Sequence, residues 1–192
     1  KGNSGKRKFH CILTDLTNGR VIDIIKTRYE NDLIDYFKPY GREGREAVKY
    51  FVSDMCKTYT EIAKYYFPQA TYIIDKYHWI RQAVWAFEAV RKEIQKRFSK
   101  SHRVYFKNSR KLLIKREKSL TEDELRQVNI MLYASADLST AYFLKEQLYD
   151  VLTEADGAAR EAAFKRWIEN AMDSGLAAFE SAVKHTPIGS VR

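Results

Sequence analysis

Two aspartates each follow a short apolar run whose composition suits a β-strand. Asp54 comes directly after "YFVS", and Asp75 comes directly after "TYII". A carboxylate at the end of a strand can cap the next helix, close a turn or bind a metal ion. Of these three roles, only metal binding would make the residue part of a catalytic site. His78, three residues after Asp75, is a third polar candidate. Whether these residues can act together depends on how the chain folds between them.

The segment between the two aspartates has the pattern of a helix. In "CKTYTEIAKYYF" the apolar residues recur at helical spacing, and Pro68 ends the pattern. A strand, a helix and a second strand form a crossover unit in which the two strands are parallel. The carboxyl ends of parallel strands share one sheet edge, where ligands of such sheets bind. The topology therefore predicts that Asp54 and Asp75 meet at one edge and supply oxygen ligands to Mg²⁺ or Mn²⁺, with the helix-capping alternative still open.

The N-terminal region carries the signal of a β-hairpin. The β-rich runs "KFHCILTDL" and "RVIDIIK" are separated by Thr17, Asn18 and Gly19. Asn-Gly in this place favours a type I′ turn, because both residues tolerate positive φ. The amphipathic stretch "YENDLIDYF" follows and ends at Pro39, and "GREGRE" after it is predicted to be a polar loop. Strands and short helices therefore alternate up to Asp75.

The remainder of the sequence is predicted to be helical, because clusters of β-branched residues are almost absent from it. Thr121 and Glu124 form a capping box, and Gly175 stands where a helix would end. Apolar stripes that include Trp85 on one helix and Trp167 on another are predicted to form a helical core. The predicted helices span residues 79–98, 104–116, 122–134, 138–152, 158–172 and 176–184.

The composition is that of a folded, basic protein of 192 residues. Hydrophobic residues make up 45% and aromatic residues 14%, which excludes general disorder. The net charge of +9 favours an anionic partner, and nucleic acid is the commonest such partner. Two cysteines, Cys11 and Cys56, suit a reducing compartment, and the sequence shows neither a leader nor a membrane-spanning run. We therefore predict a soluble, cytoplasmic protein with no membrane contact, and the lack of a starting Met predicts a piece of a longer chain.

The positive charge is concentrated in residues 91–118, which hold twelve Lys and Arg against two Glu. The net +10 of this segment exceeds that of the whole chain, and Phe98, Tyr105 and Phe106 lie among the basic residues. Surfaces that neutralise phosphates combine bases and aromatic rings in this way, so a nucleic-acid surface is predicted here. A solvated helix face is the alternative. The predicted contacts are Arg91, Lys92, Lys96, Arg97, Lys100, Arg103, Lys107, Arg110, Lys111, Lys115 and Arg116.

The motifs around the two aspartates resemble the catalytic domain of bacterial insertion-sequence transposases of the ISL-three type. Proteins of this type carry an aspartate at a strand end, a helix, a Phe-Pro-x-Ala turn and a second strand that ends in Asp-x-x-His. Here these are Asp54, Phe67-Pro68-Gln69-Ala70 and Asp75-Lys76-Tyr77-His78, and the hairpin "CILTDLTNGRVIDII" fits the same family. The resemblance implies an α/β (α+β) fold. A partial RNase H-like core, without its first strand, would span residues 1–78, and an all-helical insertion would span residues 79–192.

The same resemblance implies roles for the candidate residues. These transposases belong to the DDE class, so Asp54 would be the second carboxylate of a catalytic triad and a direct ligand of Mg²⁺ or Mn²⁺. Asp75 is the rival for this role, and otherwise Asp75 and His78 would orient the site or touch the scissile strand. The other two carboxylates of the triad would lie outside the chain, so the fragment is expected neither to bind the metal ions nor to cleave DNA. The full-length parent is expected to be a homo-oligomer that acts on transposon ends and target DNA.

Two other functions fit the same residues. A structure-selective nuclease with an RNase H-like core would hydrolyse DNA but never join strands. A non-catalytic nucleic-acid-binding or assembly module would use Asp54 and Asp75 only as helix caps. The transposase interpretation, by contrast, predicts metal-dependent DNA cleavage and strand transfer in the parent protein.

Overall fold

A computed structural model of the chain describes residues 9–108 and 110–184, apart from the side chains of Tyr105, Lys107 and Asn108. The chain divides into two compact units, the first ending at Asp75 and the second beginning at Lys76. All the strands of the described residues lie in the first unit, whereas the second unit is helical. The two units therefore differ in architecture.

The predicted β-hairpin is confirmed. Strand β1 (Cys11–Asp15) pairs antiparallel with strand β2 (Arg20–Ile25). The predicted type I′ turn is wrong, because Gly19 has a φ of 62° but Asn18 does not have positive φ. The turn spans the four residues between the strands, and Asp15 Oδ1 accepts hydrogen bonds from two of its backbone N–H groups. In this turn only the last residue, Gly19, has positive φ, which glycine adopts without strain.

Two helices connect the hairpin to the next strand. Helix α1 spans Glu30–Phe37, as the amphipathic pattern predicts, and Pro39 follows its end. Helix α2 spans Arg42–Glu46, so the prediction of a polar loop is wrong here. Arg42 Nε lies 2.7 Å from Glu46 Oε1, one helical turn away. This ion pair supports a single helical turn whose composition alone is typical of a loop.

The predicted strand-helix-strand crossover is confirmed. Strand β3 (Tyr50–Ser53), helix α3 (Lys57–Tyr66) and strand β4 (Thr71–Ile74) follow in sequence, and the two strands are parallel. Their register pairs Ser53 with Ile74. Within the described residues, the hairpin and the parallel pair are two separate two-stranded sheets. The mixed α/β class is therefore confirmed, while the RNase H-like order of strands stays a prediction.

One hydrophobic core joins the hairpin and the crossover in the first unit. Cys11 of β1, Leu33 of α1, Ile62 of α3 and Phe67 after α3 are buried and pack together. The rings of Phe51 in β3 and Phe67 lie 5.3 Å apart, measured between their centres. α1 packs on β2 and on α3, and α3 packs on β3, so the two helices connect the hairpin with the crossover.

The second unit contains the predicted helices, and the segment predicted to be helical at residues 104–116 is helical in its described residues up to Asn108 and from Arg110 to Ile114. The capping box of Thr121 and Glu124 is present with both of its reciprocal hydrogen bonds, and Gly175 has a φ of 69° after a helix end. No helix within residues 9–108 and 110–184 is both long and apolar enough to cross a lipid bilayer. The helices are α4 (Lys76–Lys96), α5 (Lys100–Asn108), α6 (Arg110–Ile114), α7 (Glu122–Tyr133), α8 (Ala136–Thr153), α9 (Gly157–Asp173) and α10 (Ala177–Lys184), with a short 3₁₀ helix at Glu117–Ser119.

The core of the second unit forms where α8 packs on α4 and α9. Trp167 is buried as predicted, and its Nε1–H donates to the carbonyl of Leu144 at 2.8 Å. Trp85 was also predicted to be buried, but its side chain is exposed, and the guanidinium of Arg81 lies 5.0 Å from the centre of its ring. The buried face of α4 runs instead through Phe87, which is fully buried. Both aromatic residues fit an apolar stripe, and only the packing of α8 shows which side of α4 is covered.

Candidate functional site

β3 and β4 end at the same edge of their sheet, and an aspartate follows each of them. Asp54 comes after Ser53 and Asp75 comes after Ile74, and these two preceding residues are partners in the parallel register. The backbone N–H of Asp75 donates to the carbonyl of Ser53 at 2.9 Å, so the ladder of hydrogen bonds continues to this point. The two aspartates therefore leave the sheet at one edge, as the crossover topology predicts.

Asp54 closes the turn between β3 and α3. Its Oδ1 accepts a hydrogen bond of 2.9 Å from the backbone N–H of Cys56. Cys56 is the N-cap residue of α3, and its own side chain makes no capping bond. Asp54 therefore shapes the turn before the helix and is not itself the helix cap. A carboxylate offers about four acceptor positions, so this bond is compatible with metal binding by the same side chain.

A hydroxyl cluster, formed by Ser53, Thr60 and Tyr72, fixes the backbone at Asp54. Tyr72 Oη lies 3.1 Å from the carbonyl oxygen of Asp54, and Ser53 Oγ donates to the same oxygen at 2.9 Å. The hydroxyl oxygens of Ser53 and Tyr72 are 2.9 Å apart, and Thr60 Oγ1 is 3.2 Å from Tyr72 Oη. β3, α3 and β4 each contribute one hydroxyl. The cluster therefore ties together the three elements that position Asp54.

Sequence reasoning missed the hydroxyl cluster, although a signal for it exists. Strand alternation places Ser53 on the same face of β3 as Phe51, and Tyr72 on the same face of β4 as Ile74. This is the inner, less exposed face of both strands. A polar group on an inner face needs a hydrogen-bond partner. The pattern could therefore indicate that Ser53 and Tyr72 are bonded, but only the register shows that they bond to each other.

Two free cysteines and a tyrosine lie near Asp54. Cys11 is buried and hydrogen-bonds to Tyr59. Burial raises the pKa of the Cys11 thiol, and the charge of Asp54 adds to the rise. Burial also raises the pKa of Tyr59, and the hydrogen bond to Cys11 raises it further. Both groups are therefore uncharged at neutral pH, so neither supplies a thiolate or a phenolate as a metal ligand or nucleophile.

Two carboxylates at the sheet edge have the donor chemistry of ligands for a hard metal ion. Asp54 and Asp75 offer the hard oxygen ligands that Mg²⁺ and Mn²⁺ prefer. His78 is half-buried in the first turn of α4, which belongs to the second unit. Within residues 9–108 and 110–184, no group of three His, Cys, Asp or Glu side chains is arranged to hold a metal ion. The donor chemistry fits a hard divalent cation, but a two-metal site needs more carboxylates than these two.

The basic segment, residues 91–118, lies on α4, α5, α6 and the 3₁₀ helix. Phe98 and Phe106 pack against each other with ring centres 4.7 Å apart, and Phe106 is buried. These two rings therefore support the segment from within, and the side chains of Tyr105 and Lys107 lie outside the described residues. The predicted contact residues with exposed side chains are Lys92, Lys96, Arg97, Lys100, Arg103, Arg110 and Lys111, and they are called the basic surface below.

Three of the predicted contacts are buried or half-buried as well as paired with an acidic side chain. Arg91 is only 4% exposed and binds Glu88 through two hydrogen bonds, so the prediction that Arg91 contacts nucleic acid is corrected. Lys115 Nζ lies 2.7 Å from Glu124 Oε2, and Arg116 Nη2 donates to Asp150 Oδ1 of α8 at 2.6 Å. The last two are half-buried. Charge counting alone includes these residues, because it does not show which bases already have an acidic partner.

α8 anchors the end of the basic segment to the helical core. Lys145 is fully buried, donates to the carbonyl of Lys115 at 3.0 Å and forms an ion pair with Glu146. Burial lowers the pKa of Lys145, and the bond to Glu146 only partly opposes this. The Nζ of Lys145 also lies 4.2 Å from the ring centre of Tyr142. Further along α8, Asp150 forms ion pairs with Arg116 and Lys118 of the basic segment. Residues 115–118 are therefore held in place by α8.

Comparison with protein families gives a match over nearly the whole chain. A family model described as a transposase, of the DDE ISL-three type, matches residues 1–186. This chain belongs to the ISL-three transposase family. No curated protein and no solved structure matches the chain significantly.

The family match confirms the predicted resemblance and connects the transposase with DNA transposition in general. It covers both units, so the helical unit belongs to the family as well as the unit that carries Asp54 and Asp75. The motifs recognised in the sequence lie almost entirely in the first unit. The basic surface of the second unit is therefore part of the same transposase.

Proposed function

We propose that this transposase takes part in metal-dependent DNA strand cleavage and strand transfer, as a piece of a longer parent protein. One observation carries the proposal: the parallel register of β3 and β4 brings Asp54 and Asp75 to one sheet edge in a chain of a transposase family. When bound, Mg²⁺ or Mn²⁺ supplies an activated water and stabilises the entering and leaving oxygens of a phosphodiester. The proposal includes an RNase H-like DDE core in which this edge is the active site.

Asp54 is the proposed metal ligand, and its surroundings support this role. A ligand must keep its position when a strongly charged ion and a phosphate bind next to it. The bond from the Cys56 backbone holds the carboxylate, and the hydroxyl cluster holds the carbonyl of the same residue. Asp75 is the second proposed ligand, since it leaves the same edge. His78 is proposed either to orient the site or to touch the scissile strand.

The basic surface is proposed to bind phosphates of the transposon ends or of the target. Its seven side chains are exposed, and their density of charge attracts the DNA backbone without regard to sequence. Lys107 is included on the ground of its sequence position. Lys115 and Arg116 are expected to contribute less, because both side chains are half-buried in addition to being paired with acidic side chains.

The isolated chain is proposed to be catalytically inactive. Asp54 and Asp75 alone cannot organise two metal ions, and the remaining carboxylates are proposed to come from other parts of the parent. The parent is proposed to work in the cytoplasm as a homo-oligomer that holds paired transposon ends.

The test is Asp54→Asn in the full-length parent. Asparagine keeps the size of the side chain and an oxygen that can accept the Cys56 bond, but it loses the negative charge that a metal ion requires. We expect strand cleavage to be abolished while the stability of the protein is unchanged. Cleavage is measured on a labelled transposon end with Mg²⁺, and stability is measured by urea unfolding.

Asp35→Asn is the matched control, because Asp35 is an exposed aspartate on α1 of the same unit. It should leave cleavage unchanged. Full cleavage activity in the Asp54→Asn parent would contradict the ligand role. A second assay with pre-cut ends separates transposase from nuclease, since only a transposase joins such ends to target DNA.

A non-catalytic nucleic-acid-binding module is the second candidate function, and the hydrogen bond from Cys56 to Asp54 favours it. This bond gives Asp54 a structural purpose that needs no metal ion. Under this function, Asp54→Ala lowers stability by about 1 kcal/mol and the parent shows no cleavage activity that depends on Asp54. The asparagine and alanine variants together therefore distinguish a structural carboxylate from a catalytic one.

A further inference from the structure

A buried glutamate lies beneath the basic surface. Glu88 of α4 is 6% exposed, yet its carboxylate accepts three hydrogen bonds from two arginines. Arg91 donates from Nε at 2.7 Å and from Nη2 at 3.1 Å, and Arg110 of α6 donates from Nε at 2.6 Å. Burying a carboxylate is costly unless it is paired in this way. Glu88 is therefore the acidic centre of a small network inside a strongly basic region.

The network reaches α5 as well as α6. Arg91 Nη1 donates to Gln95 Oε1 at 3.0 Å, and Gln95 Nε2 donates to the backbone carbonyl of Arg103 at 2.6 Å. The second bond joins α4 to α5, and the bond from Arg110 joins α4 to α6. Three helices that carry the basic surface are therefore connected through Glu88 and its partners.

Arg110 is held on one side and exposed on the other. Its side chain is 51% exposed, and Glu88 binds it through Nε. Within the described part of the chain, no hydrogen bond to its two Nη groups is found. Those groups form the end of the guanidinium fork that suits a phosphate. Burial opposes the ionisation of Glu88, but the bonds from Arg91 and Arg110 outweigh it, so the pKa of Glu88 lies below its ordinary value. Glu88 therefore stays charged at neutral pH and remains ion-paired with Arg110.

We propose that Glu88 is a positioning residue that orients Arg110 so that its Nη groups bind a DNA phosphate. This proposal rests on the DNA-binding role of the basic surface. An arginine fixed at Nε loses less side-chain freedom on binding than one that is free in solution. Glu88 thus contributes to DNA binding, although it does not contact DNA and its negative charge repels the phosphates.

The sign of the effect of Glu88→Gln tests the proposal. If Glu88 acts only through its charge, removing a negative charge near DNA strengthens binding. If Glu88 positions Arg110, the variant weakens binding about tenfold, as expected for losing one charge-assisted phosphate contact. Glu93→Gln is the matched control, because Glu93 lies on the same helix and pairs with Lys96 of the basic surface, but both side chains of this pair are exposed. The control should bind DNA as well as the unchanged chain or more tightly.

Binding is measured with the 192-residue chain and a fluorescein-labelled DNA duplex of mixed sequence, at several salt concentrations. Arg110→Gln is expected to weaken binding by a similar factor and to reduce the salt slope by about one. In the Arg110→Gln background, Glu88→Gln should then have no further weakening effect. Equal weakening in both backgrounds would show that Glu88 only supports the fold, and would overturn the positioning role.

A measurement on the unchanged chain covers the case in which Glu88→Gln does not fold. The Nε–H signal of Arg110 in a ¹⁵N nuclear magnetic resonance spectrum should exchange slowly with water, and DNA should shift its Nη signals. Rapid exchange of Nε–H, or Nη signals that DNA leaves unchanged, would overturn the proposal. Failure of the unchanged chain to bind DNA would overturn the basic surface itself and the positioning role with it. Binding that needs Arg110 but not Glu88 would overturn the positioning role alone.

Discussion

Replacing Tyr72 with Phe removes the hydroxyl that joins the three members of the hydroxyl cluster. This hydroxyl contacts the Asp54 carbonyl at 3.1 Å, Ser53 Oγ at 2.9 Å and Thr60 Oγ1 at 3.2 Å. Its partners keep other bonds, since Ser53 Oγ still donates to Asp54 and Thr60 Oγ1 still reaches the carbonyl of Cys56. We therefore expect Tyr72→Phe to cost about 1 kcal/mol, the net value of one hydrogen bond and not of three.

The double variant Ser53→Ala/Tyr72→Phe is the stronger test. Either hydroxyl can serve the Asp54 carbonyl alone, but the double variant removes both. The double variant is therefore expected to cost about 1 kcal/mol more than the sum of the two single variants. Tyr50→Phe is the control, because Tyr50 is exposed on the outer face of β3, and it should change stability by less than about 0.5 kcal/mol.

Hydrogen exchange is the suitable assay for the hydroxyl cluster. The backbone N–H of Asp75 bonds to Ser53, and that of Thr71 bonds to Lys49, so the exchange rates of these two amides measure opening of the parallel pair. Strict additivity of the two single variants, or an unchanged exchange rate in Tyr72→Phe, would refute the reasoning that the hydroxyls share the Asp54 carbonyl.

Two further predictions concern the second unit. Gly175→Ala should lower its stability to urea by about 1 kcal/mol, because Gly175 has a φ of 69° after α9. Gly157→Ala is the control, because Gly157 begins the same helix and faces open space. This change should leave the stability unchanged or raise it by up to about 1 kcal/mol. Equal effects of the two substitutions on stability would contradict this account. The pKa of Glu88 lies below its ordinary 4.5, so the stability that Glu88 adds is complete above that pH and is lost as the pH falls through its lowered pKa. The difference in unfolding free energy between the unchanged chain and Glu88→Gln should therefore narrow in acid, and a constant difference between neutral and strongly acidic pH would show that Glu88 is not ionised in the fold.

The local elements of this transposase could be predicted from its sequence, because they depend on residues a few positions apart. The capping box at Thr121 and the crossover between Asp54 and Asp75 are examples. The turn at Asn18 shows the limit of such reasoning. The Asn-Gly pair predicted the hairpin, but the type of turn depended on how many residues the strands left unpaired, and the pairing of β1 with β2 settled that number.

The candidate site was predicted in part. The two aspartates reach one edge because parallel topology follows from the order of strand, helix and strand. The basic segment was found by its charge, but Arg91 was misplaced because charge counting treats every base as exposed. The family match confirms that the chain is a transposase, while the metal ligands and the DNA contacts remain proposals.

By itself, the sequence determined the four strands, most of the helices, where the carboxylates follow the strands, and that the charge is concentrated in one segment, whereas it predicted a loop where α2 forms. The tertiary structure alone decided which groups far apart in the sequence bond to one another. Ser53 and Tyr72 are 19 residues apart, and Glu88 and Arg110 are 22 residues apart. Bonds over such separations depend on strand register and helix packing, which the whole chain settles together through the burial of its apolar faces. A local pattern can show that a buried polar group needs a partner, but only packing brings that partner to it.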